Sequence, residues 1–420
     1  MNQSYKHKPI TNVSYLITLI NFMIGVWFLI PLFLIRPVKK IYLAPLSTSR
    51  IGHFILDSEV LLARIYNEHK NNKNKIIVLW FSESFVTNKY VYSIWKKKFR
   101  ILPYNIITSI ILSAAITFEK LTKIKITYRF NGFDELYRYF HLLETSPTVF
   151  DITESDEKEC SEILRTLGID ITKQWVCIMA RDNDYLEHAF PNKNYDFNSY
   201  RNSDIETYMS AAEYLASKNI ITFRMGTDTA KPFISNNSDL VIDYANSGWR
   251  TEKLDIFLAM KCLFFISSGT GLDAVPAATR SPLLFVNYAL PLQLYRSKQN
   301  HIVIFKKFFH QKENTFLSIR KYYELGIKSG FTVDNPFHLR DQDLRKLKVD
   351  VIDNTSFEIL DATIEMYTSL TNKKSRINKL NKFQLDFWEK FPEIGLTSNS
   401  NSTQCRIGAK FLSQNKWILG

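Results

Sequence analysis

Along the chain, short continuous apolar runs alternate with stretches in which apolar residues recur every three or four positions. The run Lys40-Ile41-Tyr42-Leu43-Ala44-Pro45-Leu46 predicts a strand, and a polar turn after it leads into an apolar-periodic helix over about 52–68. A second strand is expected at 75–81, a helix at 89–97, a strand at 99–102 and a helix at 105–120, with 135–143 completing the unit. Such alternation is the sequence signature of a parallel sheet with crossover helices. The acidic, polar stretch 151–159 interrupts it and marks a linker, followed by a helix that ends near Leu167. The pattern then resumes with strands at 174–179, 220–224, 240–244, 262–267 and 281–287 and helices at 204–217 and 253–261. From Ser356 a tail carries two helical stretches, too short for a third core. The resulting fold class is α/β in two units, with no internal repeat at a fixed period.

One segment departs from this alternation. From Ser14 to Ile35 the chain reads SYLITLINFMIGVWFLIPLFLI, 22 residues without a charge, and a helix of that length can cross a bilayer core. The expectation is an N-terminal apolar membrane anchor over 1–37, retained because Arg36-Pro37-Val38-Lys39-Lys40 follows where a cleavage site would need small residues. Pro31 leaves a second possibility open, an interfacial arrangement in place of a full span. Lys6 and Lys8 lie before the stretch and Arg36, Lys39, Lys40 and Arg50 after it, a balance that mildly favours a cytoplasmic C-terminal side.

Charge sharpens this picture. Of the net +13, residues 1–150 hold 20 Lys+Arg against 8 Asp+Glu, and the remaining 270 are nearly balanced with 34 and 33. No nucleic-acid-binding module accompanies the basic part, so nucleic acid is not the expected partner and an anionic membrane surface is. Lys96-Lys97-Lys98 with Arg100 forms a candidate second lipid contact, although such runs are ordinarily solvated faces. The four cysteines, Cys160, Cys177, Cys262 and Cys405, are scattered without a CxxC pair, which excludes a disulfide framework and a structural zinc site and fits a reducing compartment.

In open α/β sheets ligands bind beyond the carboxyl ends of the strands, which singles out four places. After the first strand stands Ser47-Thr48-Ser49-Arg50-Ile51-Gly52-His53. Gly52 admits close backbone approach there, and His53 is suited to take a proton from an attacking hydroxyl, with Asp57 in reserve. After the strand at 174–179 stands Arg181-Asp182-Asn183-Asp184, and Tyr200-Arg201-Asn202-Ser203-Asp204 closes the same loop. Arg181 and Arg201 suit phosphate, Asp204 suits a helix cap, and Asp182-x-Asp184 is a short acidic pair of a kind that can hold a divalent cation. Asp341-x-Asp343 repeats that pair in another context, which shows how cheaply it arises. Arg224-Met225-Gly226 follows the next strand. The most specific of the four is Ser267-Ser268-Gly269-Thr270-Gly271-Leu272-Asp273, small and hydroxylated residues between strand and helix that suit a diphosphate, although neither GxxxxGK[ST] nor GxGxxG is present.

Taken in order, the run 200–204, then Arg224-Met225-Gly226, Asp243-Tyr244-Ala245 and Ser267-Ser268-Gly269-Thr270-Gly271 with Val275-Pro276, resembles a family of bacterial glycosyltransferases from surface-polysaccharide clusters. Arg50-Ile51-Gly52-His53 and Arg406-Ile407-Gly408-Ala409 look like the family's outer markers, so the resemblance spans roughly 40–415. It implies a GT-B-like architecture, two Rossmann-like domains facing across a cleft. The acceptor domain would cover 38–155 and the nucleotide-sugar donor domain 156–355, with the tail 356–420 bracing the first. It also implies that Ser267, Ser268, Gly269, Thr270 and Gly271 hold donor phosphates with Arg181, Arg201, Asn202, Arg224 and Gly226 around them, and that Arg50 and Gly52 belong to the acceptor-side loop. No metal and no cofactor is then expected, the nucleotide-sugar being a substrate. Two Glu eight apart often precede the phosphate loop in retaining enzymes of this architecture, but Met260 stands eight after Glu252, which favours inversion with His53 as base. The anchor suggests a lipid-linked acceptor, with a saccharide as the other choice. The competing readings are a CDP-linked polyol-phosphate transferase and a non-catalytic scaffold of a polysaccharide assembly complex.

Overall fold

The computed structural model describes residues 12–71, 76–131, 133–182, 196–227, 229, 231–291, 301–328, 341–372, 382–391 and 405–420. The chain forms two compact units, Met1–Asn131 and Gly132–Gly420, so the division falls earlier than the linker expected at 151–159. Residues just past the division belong with the second unit: Arg280 Nε donates to the Leu143 carbonyl at 3.0 Å.

In the first unit, helix α1 (Asn12–Ile35) precedes strand β1 (Lys40–Leu46). A five-residue π-turn (His53–Asp57) runs into α2 (Ser58–His69). Strand β2 (Ile76–Ser82), helix α3 (Lys89–Lys98), strand β3 (Arg100–Leu102) and helix α4 (Ile106–Thr122) follow. The three strands form a parallel sheet in the order β1-β2-β3. On its other edge β1 meets Thr127 through a parallel bridge at Leu43. The alternating pattern thus yields the expected α/β layer, and the sheet continues on both sides of β1.

The apolar N-terminal stretch behaves differently from the expectation. Among the described residues no helix is long and apolar enough to cross a membrane. α1 is helical with Pro31 inside it, and one of its faces is already engaged. Gly25 and Leu29 are buried, a Cβ on Gly25 would collide with Ala114 of α4, and Leu29 joins Leu43, Phe81, Ala115 and Ile126 in the unit's core. The helix is fastened to its own unit along a stripe.

The second unit opens with two short helices, Phe133–Arg138 and Leu142–Thr145, followed by α5 (Glu154–Thr166), whose Thr153 cap accepts from the Asp156 N–H, and strand β4 (Trp175–Met179). Helix α6 (Met209–Ser217) and strands β5 (Ile221–Arg224) and β6 (Val241–Ile242) follow, then α7 (Glu252–Lys261), β7 (Phe264–Ser267), the short α8 (Ala274–Ala278) and β8 (Leu283–Tyr288). Strand β9 (Ile302–Phe305) continues the main sheet, and β10 (Lys307–His310), β11 (Thr315–Phe316) and β12 (Val349–Ile352) make a small antiparallel sheet that the sequence pattern did not reveal. The main sheet is parallel with order β13-β9-β8-β7-β4-β5-β6, where β13 is Arg406–Ile407. Strands β5, β7, β8 and β9 are buried along their whole length, as strands covered on both faces by crossover helices must be.

The described part of the tail builds onto this second unit. Helix α9 (Ser356–Thr371) packs on α6 and β8, and β13 adds to the edge of the main sheet beside β9. Gly408 is required there, since a Cβ would lie 2.6 Å from Ile304 Cγ2. Glu365 of α9 holds the segment from the other side, accepting from Arg406 Nη2 at 2.9 Å and the Ala409 N–H at 2.7 Å. The marker Arg406-Ile407-Gly408-Ala409 is therefore an edge strand and its fastening.

Candidate active site

In the first unit β1 is flanked on one side by β2 and on the other by Thr127, so its carboxyl end is a point where the strand order reverses. The loop leaving that end is tied to the loop leaving β2. Thr48 Oγ1 donates to the Phe85 carbonyl at 2.6 Å, the Thr87 N–H to the Thr48 carbonyl at 2.9 Å, and the Ser49 N–H to Glu83 Oε2 at 2.8 Å. The helix that follows opens with a π-turn, and its cause is visible. The Phe54 carbonyl accepts from the buried Trp95 indole N–H at 3.1 Å and from Ser58 Oγ at 2.8 Å, partners that compete with the ordinary helical bond.

That turn places His53 and Asp57 on one face, with His53 Nδ1 and Asp57 Oδ2 2.8 Å apart. The hydrogen bond that His53 donates to Asp57 raises the His53 pKa above its ordinary 6.5, against the opposing effect of burial. The two candidates, base and reserve, are thus one dyad: a carboxylate that orients the imidazole and favours its protonated form. Arg50 is exposed one turn earlier. Gly52 is helical, with φ −60° and ψ −51°, so its backbone is one any residue could adopt.

In the second unit the strand order reverses between β4 and β7, and the carboxyl ends of these two strands carry the most specific motif. They are laced together. The Ser268 N–H donates to the Met179 carbonyl at 3.3 Å, and the Arg181 N–H to Ser268 Oγ at 2.8 Å. The Ser267–Gly271 loop is folded around a residue the sequence reading left without a role, Asp273. Its Oδ2 accepts from Ser267 Oγ at 2.7 Å and the Thr270 N–H at 2.8 Å, while Ser267 Oγ accepts from the Gly269 N–H at 3.0 Å. The amides of Gly269 and Thr270, expected to face a phosphate, are therefore engaged within the loop and fix its shape. Gly269 has φ +85°, which suits glycine, and a Cβ there would sit 3.3 Å from Tyr288 Cε2.

Burial pushes the Asp273 carboxyl up to about 6, with the Ser267 and Thr270 hydrogen bonds pulling the other way. The folded state then keeps a proton between about pH 4 and 6 that the unfolded chain gives up, so this group's contribution to stability falls as pH rises through that window. Asp273→Asn is expected to remove that part of the slope. Wild type should lose about 2–3 kcal/mol more than the variant between pH 4 and 7 in urea unfolding monitored at each pH. Equal slopes would show that Asp273 titrates normally.

Arg201 reaches this loop, its Nη2 donating to the Gly269 carbonyl at 3.2 Å. The segment carrying it is held by groups from distant parts of the chain. Asp341 accepts from the Ser199 and Tyr200 N–H groups at 2.8 and 3.1 Å. Buried Lys306, directly after β9, donates to the Asn202 carbonyl and to Asp353 Oδ1, the latter at 2.6 Å, and burial lowers its pKa. Ser203 Oγ receives Asn287 Nδ2 at 2.8 Å and lies 2.9 Å from Tyr208 Oη. Lys306 is a site-supporting residue that sequence reasoning missed, and its one signal was its place immediately beyond a strand's carboxyl end.

Arg224 occupies a different setting from the one expected. Its guanidinium is buried, and Nη1 donates to Thr229 Oγ1 at 2.5 Å and Asp243 Oδ1 at 3.1 Å. Asp243 also accepts from the Phe233 N–H at 2.9 Å and Asn246 Nδ2 at 2.8 Å. This is an internal brace for the ends of β5 and β6. Gly226, with φ +141°, leaves room for Thr229, whose Cγ2 would lie 2.8 Å from a Cβ there. Arg224→Ala is expected to cost about 3 kcal/mol in chemical denaturation, because it leaves the Asp243 carboxylate without its cation. A cost below about 1 kcal/mol would instead mark Arg224 as a residue kept for a ligand.

Asn183 and Asp184 lie outside the described residues, so the acidic pair is represented by Asp182 alone. Among the described residues no group of three or more His, Cys, Asp or Glu side chains could hold a metal ion. All four cysteines are free thiols and buried.

No family model matches the chain, and no curated protein matches it. Among solved structures it is similar to a glycosyl transferase family 9 protein from Veillonella parvula, 12% identical, covering 78% of this chain and 96% of that one with a TM-score of 0.42. It is also similar to the E. coli ADP-heptose LPS heptosyltransferase II, 11% identical, covering 63% and 90% with a TM-score of 0.33. The wall teichoic acid polymerase TagF is 9% identical, covering 63% and 74% with a TM-score of 0.25. The first two bear the names of glycosyltransferases, the class the sequence motifs resemble.

Proposed function

We propose that the chain is a glycosyltransferase that moves a sugar from a nucleoside-diphosphate sugar to a hydroxyl of a saccharide or lipid-linked acceptor with inversion. The observation that carries this reading is the β4/β7 reversal point. There a loop of small residues with a positive-φ glycine is held in shape by buried Asp273 and met by Arg201. A diphosphate is the chemistry such a place suits: close backbone approach at Gly269, hydroxyls at Ser268 and Thr270, and cations at Arg181 and Arg201.

In the reaction the acceptor oxygen attacks the anomeric carbon, the bond from that carbon to the donor phosphate oxygen breaks, and the nucleoside diphosphate leaves with the electron pair. Arginine side chains oppose the charge that develops on the leaving group. The acceptor's proton passes to His53 Nε2, while Asp57 holds Nδ1 and stabilises the imidazolium that forms. Arg224 supports the second unit's fold in this reading and does not touch the donor.

Nucleotide binding by the purified protein tests it. Thermal unfolding in the presence of UDP, GDP, CDP, ADP and CMP and their sugar conjugates reports preferential binding to the folded state without an acceptor. One nucleoside diphosphate should raise Tm, and its sugar conjugate should do so as well. A folded sample that responds to none of them removes the transferase reading and favours a scaffold. A response to CDP-polyols alone would move the reading to polyol-phosphate transfer.

A further inference from the structure

The face of α1 that turns away from its own unit has no use in the reaction proposed above. Met23, Ile24, Trp27, Ile30 and Leu34 recur at three- and four-residue spacing on that face, and all are exposed, Trp27 at 74% and Leu34 at 75%. Exposed apolar surface of this extent on one element marks a surface that something else covers.

The partner helix shows what that something is. Gly25 lies against Ile110 and Ala114, and the Phe33 ring lies tilted against Phe118 with centroids 5.1 Å apart, so α1 and α4 run side by side in the same direction. Their starts therefore lie at one end and their finishes at the other. At the starting end α4 exposes Ile106 and Ile107. At the finishing end stand Arg36, Lys39, Lys40, Lys120 and Lys123, of which all but half-buried Arg36 are exposed.

Acidic residues are scarce in the two helices and their flanks, and Glu68 near the basic end is paired with Lys125 and Arg64. The chain has no Asp or Glu before Asp57 and none between 84 and 118. Glu119, the one carboxylate of α4, is turned inward, accepting from the Ile126 and Thr127 N–H groups at 3.0 and 2.7 Å. An exposed apolar face with an aromatic side chain part way along it, flanked by exposed lysines, presents together the chemistries of the acyl boundary, the interface and the anionic headgroups. A second copy packed in parallel would bring the two positive ends together and be repelled there.

We propose that α1 and the start of α4 form a docking face for an anionic lipid bilayer, with the exposed apolar face of α1 entering the interface and the flanking lysines at headgroup level. The helix pair lies in one leaflet and does not span. This surface lies within the first unit and holds whether or not the chain transfers sugars.

The test is flotation of the full-length protein with vesicles of phosphatidylcholine alone and of phosphatidylcholine with 30% phosphatidylglycerol. It is run at about 0.1 M and 0.5 M salt, where screening differs strongly. Wild type should float with the anionic vesicles at low salt and at least tenfold less with the neutral ones or at high salt. Trp27→Glu with Leu34→Glu should lower binding to anionic vesicles at least tenfold with unchanged far-UV circular dichroism. Lys39→Glu with Lys120→Glu should abolish the preference for anionic lipid. Equal binding to both vesicle types overturns the assignment of lipid class. Wild type that stays with the unbound protein, or a Trp27→Glu/Leu34→Glu variant that floats as wild type does, overturns the docking face. A lipid-independent dimer that Trp27→Glu/Leu34→Glu converts to monomer, in a protein that binds no vesicles, overturns it in favour of a second copy.

Discussion

His53→Ala lowers kcat by about 10²–10⁴-fold while leaving the nucleotide dissociation constant within about twofold of wild type, because removing a general base raises the barrier without disturbing donor contacts in the other unit. The pH dependence follows from the same dyad. Asp57 raises the His53 pKa above 6.5, and the base must be neutral to accept a proton. Activity therefore falls as pH drops through a value higher than that of an ordinary histidine, and the acid limb of kcat/KM lies above 6.5. Asp57→Asn withdraws the carboxylate, so the limb moves to lower pH and kcat falls together with it. Rate profiles between about pH 5 and 9 for the three proteins decide the matter. If His53→Ala keeps wild-type kcat, the π-turn is a structural feature and the base lies elsewhere. If Asp57→Asn leaves the limb in place, the limb belongs to another group.

Gly269→Asp weakens nucleoside diphosphate binding at least tenfold, about 1.4 kcal/mol, whereas Gly269→Asn weakens it much less. Both substitutions demand the same positive φ, which Asn and Asp tolerate better than other residues, and both bring a side chain of the same size toward Tyr288. The difference between them isolates charge. A carboxylate beside a diphosphate is opposed by several kcal/mol at the dielectric of a partly exposed site, an effect the amide does not have. Titration calorimetry with the diphosphate that raises Tm compares the two. Equal losses would mean that the loop answers to shape alone, and no loss in either would place the phosphates away from Gly269.

Much of the architecture is legible in sequence because its elements are local. Apolar runs such as Ile41–Leu46 and Phe264–Ser267 are buried on both faces, so they read as strands wherever they occur, and β1 falls where the pattern puts it. The carboxyl-end residues could be named on the same basis, since a strand followed by small or charged residues is a local signal. The short strands β10 to β12 were not legible. Their antiparallel pairing joins Lys307 to Ile352 and His310 to Val349, and no periodicity within either run announces a partner some forty residues away.

The tertiary structure alone decided which carboxyl ends meet. Parallel pairing of β4 with both β5 and β7 creates the reversal point, and only that pairing brings the Arg181 N–H to Ser268, 87 positions further on. It also sorted three arginines that look alike in sequence. Arg201 reaches the loop at Gly269 and Arg181 anchors its backbone on Ser268, while Arg224 is withdrawn to neutralise Asp243. The sequence by itself established that residues 14–35 are apolar and uncharged and that net positive charge belongs to residues 1–150, where acidic residues are scarce. Whether that stretch spans, packs or docks depended on contacts it makes with α4, at Gly25 and Leu29, because hydrophobicity measures the gain on leaving water and is silent about which apolar neighbour supplies it.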